Sequence, residues 1–176
     1  MKNLTSIDLW FWMLARLDAL HAHLVRHGIA YIAVLFGYWI FAMKYEISIN
    51  ASNSLSGTLY LVEKRTLPAS DEYAAFLYQE NFIYPKGVHF LKRVVGVPGD
   101  TVESKDHQFF VNGRPVGKAL PVTSAGRAIQ ENDFSGVIPA GYYYMMADHP
   151  KSLDSRYKAV GLVPAQIIIG RGYRVF

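Results

Sequence analysis

From Gly28 to Met43 the chain runs GIAYIAVLFGYWIFAM, sixteen residues without a formal charge, bounded by Arg26-His27 and Lys44. A helix needs roughly 17 to 25 predominantly apolar residues to cross the hydrocarbon of a bilayer. The run therefore spans if Leu24 and Val25 join it while Arg26 snorkels, or if the bilayer thins locally. Upstream, Trp10, Met13, Leu14, Leu17, Leu20 and Leu24 recur at three- and four-residue steps, with Arg16, His23 and Arg26 off that stripe. This spacing predicts an amphipathic helix lying at the membrane interface. A retained anchor fits better than a cleaved leader, because no convincing small-x-small site follows Lys44 promptly.

After Glu46 the three-to-four periodicity gives way to short β-branched and aromatic runs: 57–62, 88–95, 108–111, 142–146 and 166–175. These predict strands. Asn112-Gly113, set between Phe109-Phe110-Val111 and Arg114-Pro115-Val116, predicts a hairpin, since a two-residue turn needs positive φ at both positions. Asp71 to Glu80 predicts one short helix before Asn81, capped by Ser70 or Asp71. Residues 118–135 carry few strand signals and predict a long loop or small insertion without assigned chemistry. The pattern divides the chain into an anchor over residues 1–45 and one mainly β domain over 46–176.

Composition narrows the function. Hydrophobic residues make up 51% and charged residues 18% of the 176. The apolar excess lies before position 45, so it points to a membrane segment instead of a larger core. The formal charge of +4 is spread without a basic run of five or more, which argues against nucleic-acid binding. With no cysteine, disulfides, thiolate metal sites and thiol catalysis are excluded. His23 and His27 are four apart on the predicted helix, but no carboxylate shares that face, and neither a metal nor another cofactor is expected. Charge does not orient the span: Lys2, Arg16 and Arg26 precede it, while Lys44, Lys64 and Arg65 follow.

Two segments carry candidate chemistry on residue type alone. Ser54 follows Met43 by eleven positions, a reach of at most roughly 40 Å, so a nucleophile there works near the membrane. A serine hydroxyl needs a base held against it, and a neutral lysine can serve. Lys92 lies among Phe90, Leu91, Val94 and Val95, whose desolvation would lower its pKa from about 10.4 toward the working range. Arg93 cannot take this role, since a guanidinium stays charged. Against these stand blander readings: a Ser/Asn-rich turn over residues 48–56, in which Ser56 competes with Ser54, and a strand lysine with its head in water.

Three segments in this order, Ser54-Leu55-Ser56-Gly57-Thr58-Leu59-Tyr60, Lys92-Arg93-Val94-Val95-Gly96-Val97-Pro98-Gly99-Asp100 and Tyr144 to Tyr157 continued by Gly161-Leu162-Val163-Pro164, resemble the boxes of the type I signal peptidase family. The first looks closest to the conjugative-transfer, TraF-type branch, where a serine, an apolar residue and a later Leu-Tyr pair recur, and it departs from the family in lacking the proline usual near Ser56 or Gly57. The resemblance implies a signal-peptidase/LexA-like Ser-Lys β fold, with Ser54 as nucleophile and Lys92 as general base. It further implies Ser52 as an oxyanion donor, Ser152 as the hydroxyl orienting the lysine, and Asp154 with Arg156 as an ion pair bracing the site. Asp148-His149-Pro150 departs from the usual Gly-Asp-Asn run, which leaves the role of Asp148 open.

The expected function is a membrane-bound serine endopeptidase of the bacterial inner membrane, with its catalytic domain on the periplasmic or outer face. It would cleave leader or signal peptides from exported precursors, a pilin or another conjugation component, bound as an extended strand. Membrane lipids are the other expected partner. Whether cleavage ends in hydrolysis or in transfer to an internal amine stays open. The alternative is a non-enzymatic, membrane-anchored assembly component. A LexA-type repressor would carry a basic helix-turn-helix where this chain has its apolar run.

Overall fold

The computed structural model describes residues 6–52, 54–80, 82–123 and 126–176. Lys2, Asn53 and Asn81, which entered the sequence reading, lie outside them. The chain divides into two compact units, residues 1–43 and 44–176.

The described residues of the first unit form one helix, α1 (Ser6–Lys44), which runs on to Lys44. The predicted interfacial helix and the predicted span are thus continuous, because nothing between them stops a helix: the first proline in the chain is Pro68, and a lone glycine such as Gly28 costs only about 1 kcal/mol. At about 1.5 Å per residue the 39 residues reach about 58 Å, well beyond the roughly 30 Å of a hydrocarbon core. Its apolar stretch is long enough to cross a membrane, and none of that stretch is buried within the chain.

The second unit is built on two antiparallel sheets. In chain order the strands are β1 (Tyr45–Ile49), β2 (Leu59–Lys64), β3 (Tyr73–Leu77), β4 (His89–Gly96), β5 (Thr101–Lys105), β6 (Gln108–Val111), β7 (Arg114–Lys118), β8 (Gly136–Val137), β9 (Tyr142–Met146), β10 (Val163–Pro164) and β11 (Ile168–Arg174). The seven-stranded sheet has the order β1-β2-β11-β3-β4-β9-β10, and the four-stranded sheet the order β7-β6-β5-β8. The small sheet is an excursion from the large one, leaving after β4 and returning at β9. Asn112 and Gly113, with φ of 50° and 75°, make the β6–β7 turn that their sequence predicts.

The predicted helix over Asp71–Glu80 is not formed; that segment contains β3. Asp71 has φ of 65°, which a helix start does not permit, and Tyr73–Leu77 pairs with β11 on one side and β4 on the other. Helix propensity in Ala, Leu, Glu and Gln yields here to burial on both faces of a central strand. Ala74 and Phe76 face the larger core with Phe90, Val94 and Met145, while Ala75 packs with Tyr60, Val62 and Leu91 on the other side.

Candidate active site

Strand periodicity decides where Lys92 goes. Successive side chains of β4 alternate between faces, so Lys92 shares the face of Phe90 and Val94, both part of the larger core. Directly across on β3 sits Ala74, whose small side chain leaves room for the lysine stem. Only 6% of Lys92 is exposed, and its ammonium lies 5.1 Å from the Phe90 ring centroid. Burial lowers its pKa from 10.5 to about 8, opposed by the Asp154 and Asp148 charges and assisted by that of Arg156. A substantial fraction of such an amine is neutral near physiological pH.

Ser54, 8% exposed, lies in the loop between β1 and β2. Its hydroxyl donates to Asn50 Oδ1 at 3.1 Å and accepts from the Ser52 hydroxyl at 3.0 Å. Asn50 in turn donates through Nδ2 to Leu55 O at 3.1 Å and Gly57 O at 2.9 Å, so one amide ties both sides of the serine. In the sequence Asn50 counts only toward turn composition. The loop is also held from β9's end: Asp148 N–H and His149 N–H donate to Ser54 O at 2.9 and 3.1 Å, and Ser56 N–H donates to Asp148 Oδ2 at 3.1 Å. Asp148 thus braces the loop, and Arg93 Nε stands 3.6 Å from its other oxygen. Ser56 points elsewhere, accepting from Arg174 Nη1 at 3.1 Å.

Asp154 and Arg156 form a buried pair. Asp154 accepts from Arg156 Nε and Nη2, each at 2.8 Å, and from Ala147 N–H at 3.0 Å. Arg156 also donates through Nη1 to Lys118 O at 2.6 Å and through Nη2 to Ser152 O at 3.4 Å. A buried charge pair is tolerable only when its remaining donors and lone pairs are satisfied, and these bonds do so. Ser152 is held through its backbone, donating to His149 O at 3.1 Å.

These elements meet at an open cleft of about 670 Å³, within the range of small-molecule and peptide sites. Ser52, Ser54, Lys92 and Ser152 all line it, whereas Ser56, Asp154 and Arg156 do not. Ser54 and Lys92 thus line one cleft, and the charges of Asp154 and Arg156 act on Lys92 from outside its lining. No cluster of three metal-ligating side chains occurs among the described residues. His23 Nε2 is engaged with the Tyr31 hydroxyl at 2.5 Å.

The family profile described as signal peptidase, peptidase S26, matches residues 20–176. Signal peptidase I of Bacillus licheniformis is 30% identical over 158 residues, covering 82% of this chain and 83% of that protein. Signal peptidase I S of Bacillus subtilis (strain 168) is 31% identical over 155 residues, covering 82% of each. A solved signal peptidase I from Enterococcus faecalis V583 is 27% identical, covering 60% of this chain and 97% of that one at a TM-score of 0.40.

Proposed function

This chain belongs to the peptidase S26 signal peptidase family, a family of serine endopeptidases that cleave signal peptides from exported precursors, and from that premise we propose that Ser54 and Lys92 are its catalytic dyad. The observation that carries this reading is that Ser54 and a lysine brought to about 8 by burial line one cleft. The neutral Lys92 amine takes the Ser54 proton as Oγ attacks the scissile carbonyl carbon. The Ser54 hydroxyl, which donates to Asn50 in the resting site, turns its proton toward the amine for this step.

The tetrahedral oxyanion accepts from the Ser54 N–H and from the Ser52 hydroxyl, each donor of this type being worth about 10²–10³ in rate. Collapse breaks the C–N bond, Lys92 returns its proton to the leaving amine, and an acyl ester remains on Ser54. Water then cleaves the ester, with Lys92 again the base. Ser152 orients the amine. Asp154 and Arg156 brace the segment that carries Ser152 without placing an uncompensated charge beside the lysine.

The apolar helix and the family together make this a membrane-anchored protein. We place its catalytic domain on the outer face of the bacterial inner membrane, where α1 meets the lipid and exported precursors emerge. The precursor binds as an extended strand, with small side chains one and three residues before the cleaved bond. The Ser-Leu-Ser-Gly-Thr-Leu-Tyr form of the nucleophile segment favours a dedicated substrate, a pilin or another conjugation component.

The test is mass spectrometry of exported proteins from cells carrying the wild-type chain or Ser54→Ala. Full-length precursors accumulating only with Ser54→Ala, while that variant still reaches the membrane, are the expected result. Unchanged processing by Ser54→Ala would remove the dyad from the account.

A further inference from the structure

The insertion between β7 and β8 reaches the cleft. Its base is stitched to the segment that follows Asp154: Asn132 N–H donates to Arg156 O at 2.8 Å, Lys158 N–H to Gln130 O at 3.0 Å, and Leu120 N–H to the Tyr157 hydroxyl at 3.1 Å. Farther out, it crosses to the loop between β3 and β4. There Arg127 Nη1 donates to Phe82 O at 2.9 Å, and its guanidinium lies 6.0 Å from the Phe82 ring centroid.

Both connected loops face the cleft, the insertion through Thr123 and Ile129, the other loop through Ile83 and Tyr84. Tyr84 packs edge-on against Phe90 at 5.4 Å, and Phe90 is the ring beside the Lys92 ammonium. A path of contacts therefore joins the insertion to the lysine. Ile83 and Ile129 are half-buried against the larger core, which backs this wall with fixed packing. Thr123 ties Arg127 into this wall, its hydroxyl accepting from Arg127 N–H at 3.2 Å.

We propose that Thr123, Arg127 and Ile129 form a specificity wall which, with Ile83 and Tyr84, makes an apolar subsite for one medium-sized aliphatic side chain of the precursor, Arg127 holding the two loops at the required spacing. This rests on the peptidase reading above. An aliphatic wall with fixed backing selects by size, and one methylene in such a pocket is worth roughly 10- to 200-fold in discrimination. The 670 Å³ cleft has room for several residues of an extended chain, so the subsite is one position among those the precursor occupies.

The experiment measures affinity for a panel of extended peptides, each carrying Ala, Val, Leu, Phe or Trp at one position, on full-length detergent-solubilised protein bearing Ser54→Ala. At one position Val or Leu is expected to bind best. Adding Ile129→Ala should weaken the Leu peptide roughly tenfold and move the optimum toward Phe. Adding Arg127→Ala, an exposed change that leaves the core intact, should flatten the preference. An unchanged size profile in both variants would overturn the wall. Turnover of the same peptides by the enzyme with Ser54 intact tests the dyad separately, so a protein that shows the size profile without cleaving separates the two ideas.

Discussion

Arg156 meets Asp154 at two points, Nε–H to Oδ1 and Nη2–H to Oδ2, both 2.8 Å, with 2% and 0% of their side chains exposed. The pair matters to the cleft because its two charges act on Lys92 in opposite senses: the carboxylate raises the lysine pKa and the guanidinium lowers it. Burial, the largest influence on Lys92, is left to dominate.

Removing one member exposes what the other was compensating. Asp154→Ala leaves a buried guanidinium without its carboxylate, and loss of one partner of such a pair costs about 3–5 kcal/mol. Urea unfolding should show a lower midpoint with little change in slope. Asp154→Leu combined with Arg156→Met should cost less than the two single changes added together, because no charge is then stranded. Additive losses would mean that the pair is not coupled as its geometry requires.

A lysine proposed as the base must be neutral to act, and burial sets when that happens. With Lys92 at about 8, kcat/KM for a precursor peptide should climb about tenfold per pH unit below that value and level off above it. A lysine at its ordinary pKa would keep the climb going to about 10. A profile already flat at pH 6 would exclude Lys92 as the titrating base.

The same burial carries a stability cost with a definite sign. Well below pH 8 Lys92 is protonated in both folded and unfolded chains, so the folded state bears nearly the whole desolvation penalty. Between about 8 and 10.4 the unfolded chain binds more protons, and wild-type stability rises with pH. Lys92→Met removes the charge but keeps the apolar length. It should therefore abolish cleavage yet be more stable than wild type near pH 7. That advantage should shrink by about 3 kcal/mol as pH rises through the window. Thermal unfolding of both proteins at pH 7 and pH 10 checks it; equal differences at the two values would count against the buried ammonium.

Legibility in the sequence differs from residue to residue. The burial of Lys92 can be read from its apolar neighbours on a strand, because strand periodicity is local. The turn at Asn112-Gly113 is legible for the same reason. The segment at Asp71–Glu80 misleads because its partners, β4 and β11, lie 12 to 99 positions away in sequence and override its helix propensity. Asn50 and Asp148 stay hidden for a related cause: each acts through bonds to a loop whose shape the pattern does not give. The insertion is legible as a loop, but its contact with the loop at Phe82 is not, since Arg127 makes it across 45 residues.

Asn50 and Ser56 separate nucleophile positioning from mere loop composition. Asn50 accepts from Ser54 and donates to the carbonyls of Leu55 and Gly57, so Asn50→Ala frees both the hydroxyl and the turn. A reacting atom misplaced by about 1 Å can cost about 10²-fold. Asn50→Ala should accordingly lower kcat by one to two powers of ten, about 10- to 100-fold, while the fold is kept. Ser56 is outside the cleft lining and its hydroxyl is taken up by Arg174. Ser56→Ala should retain most of the turnover that Ser54→Ala loses. Steady-state kinetics on the three single variants decide the matter: loss of activity on Ser56→Ala with survival on Ser54→Ala would move the nucleophile two residues along the loop and remove the positioning role of Asn50 with it.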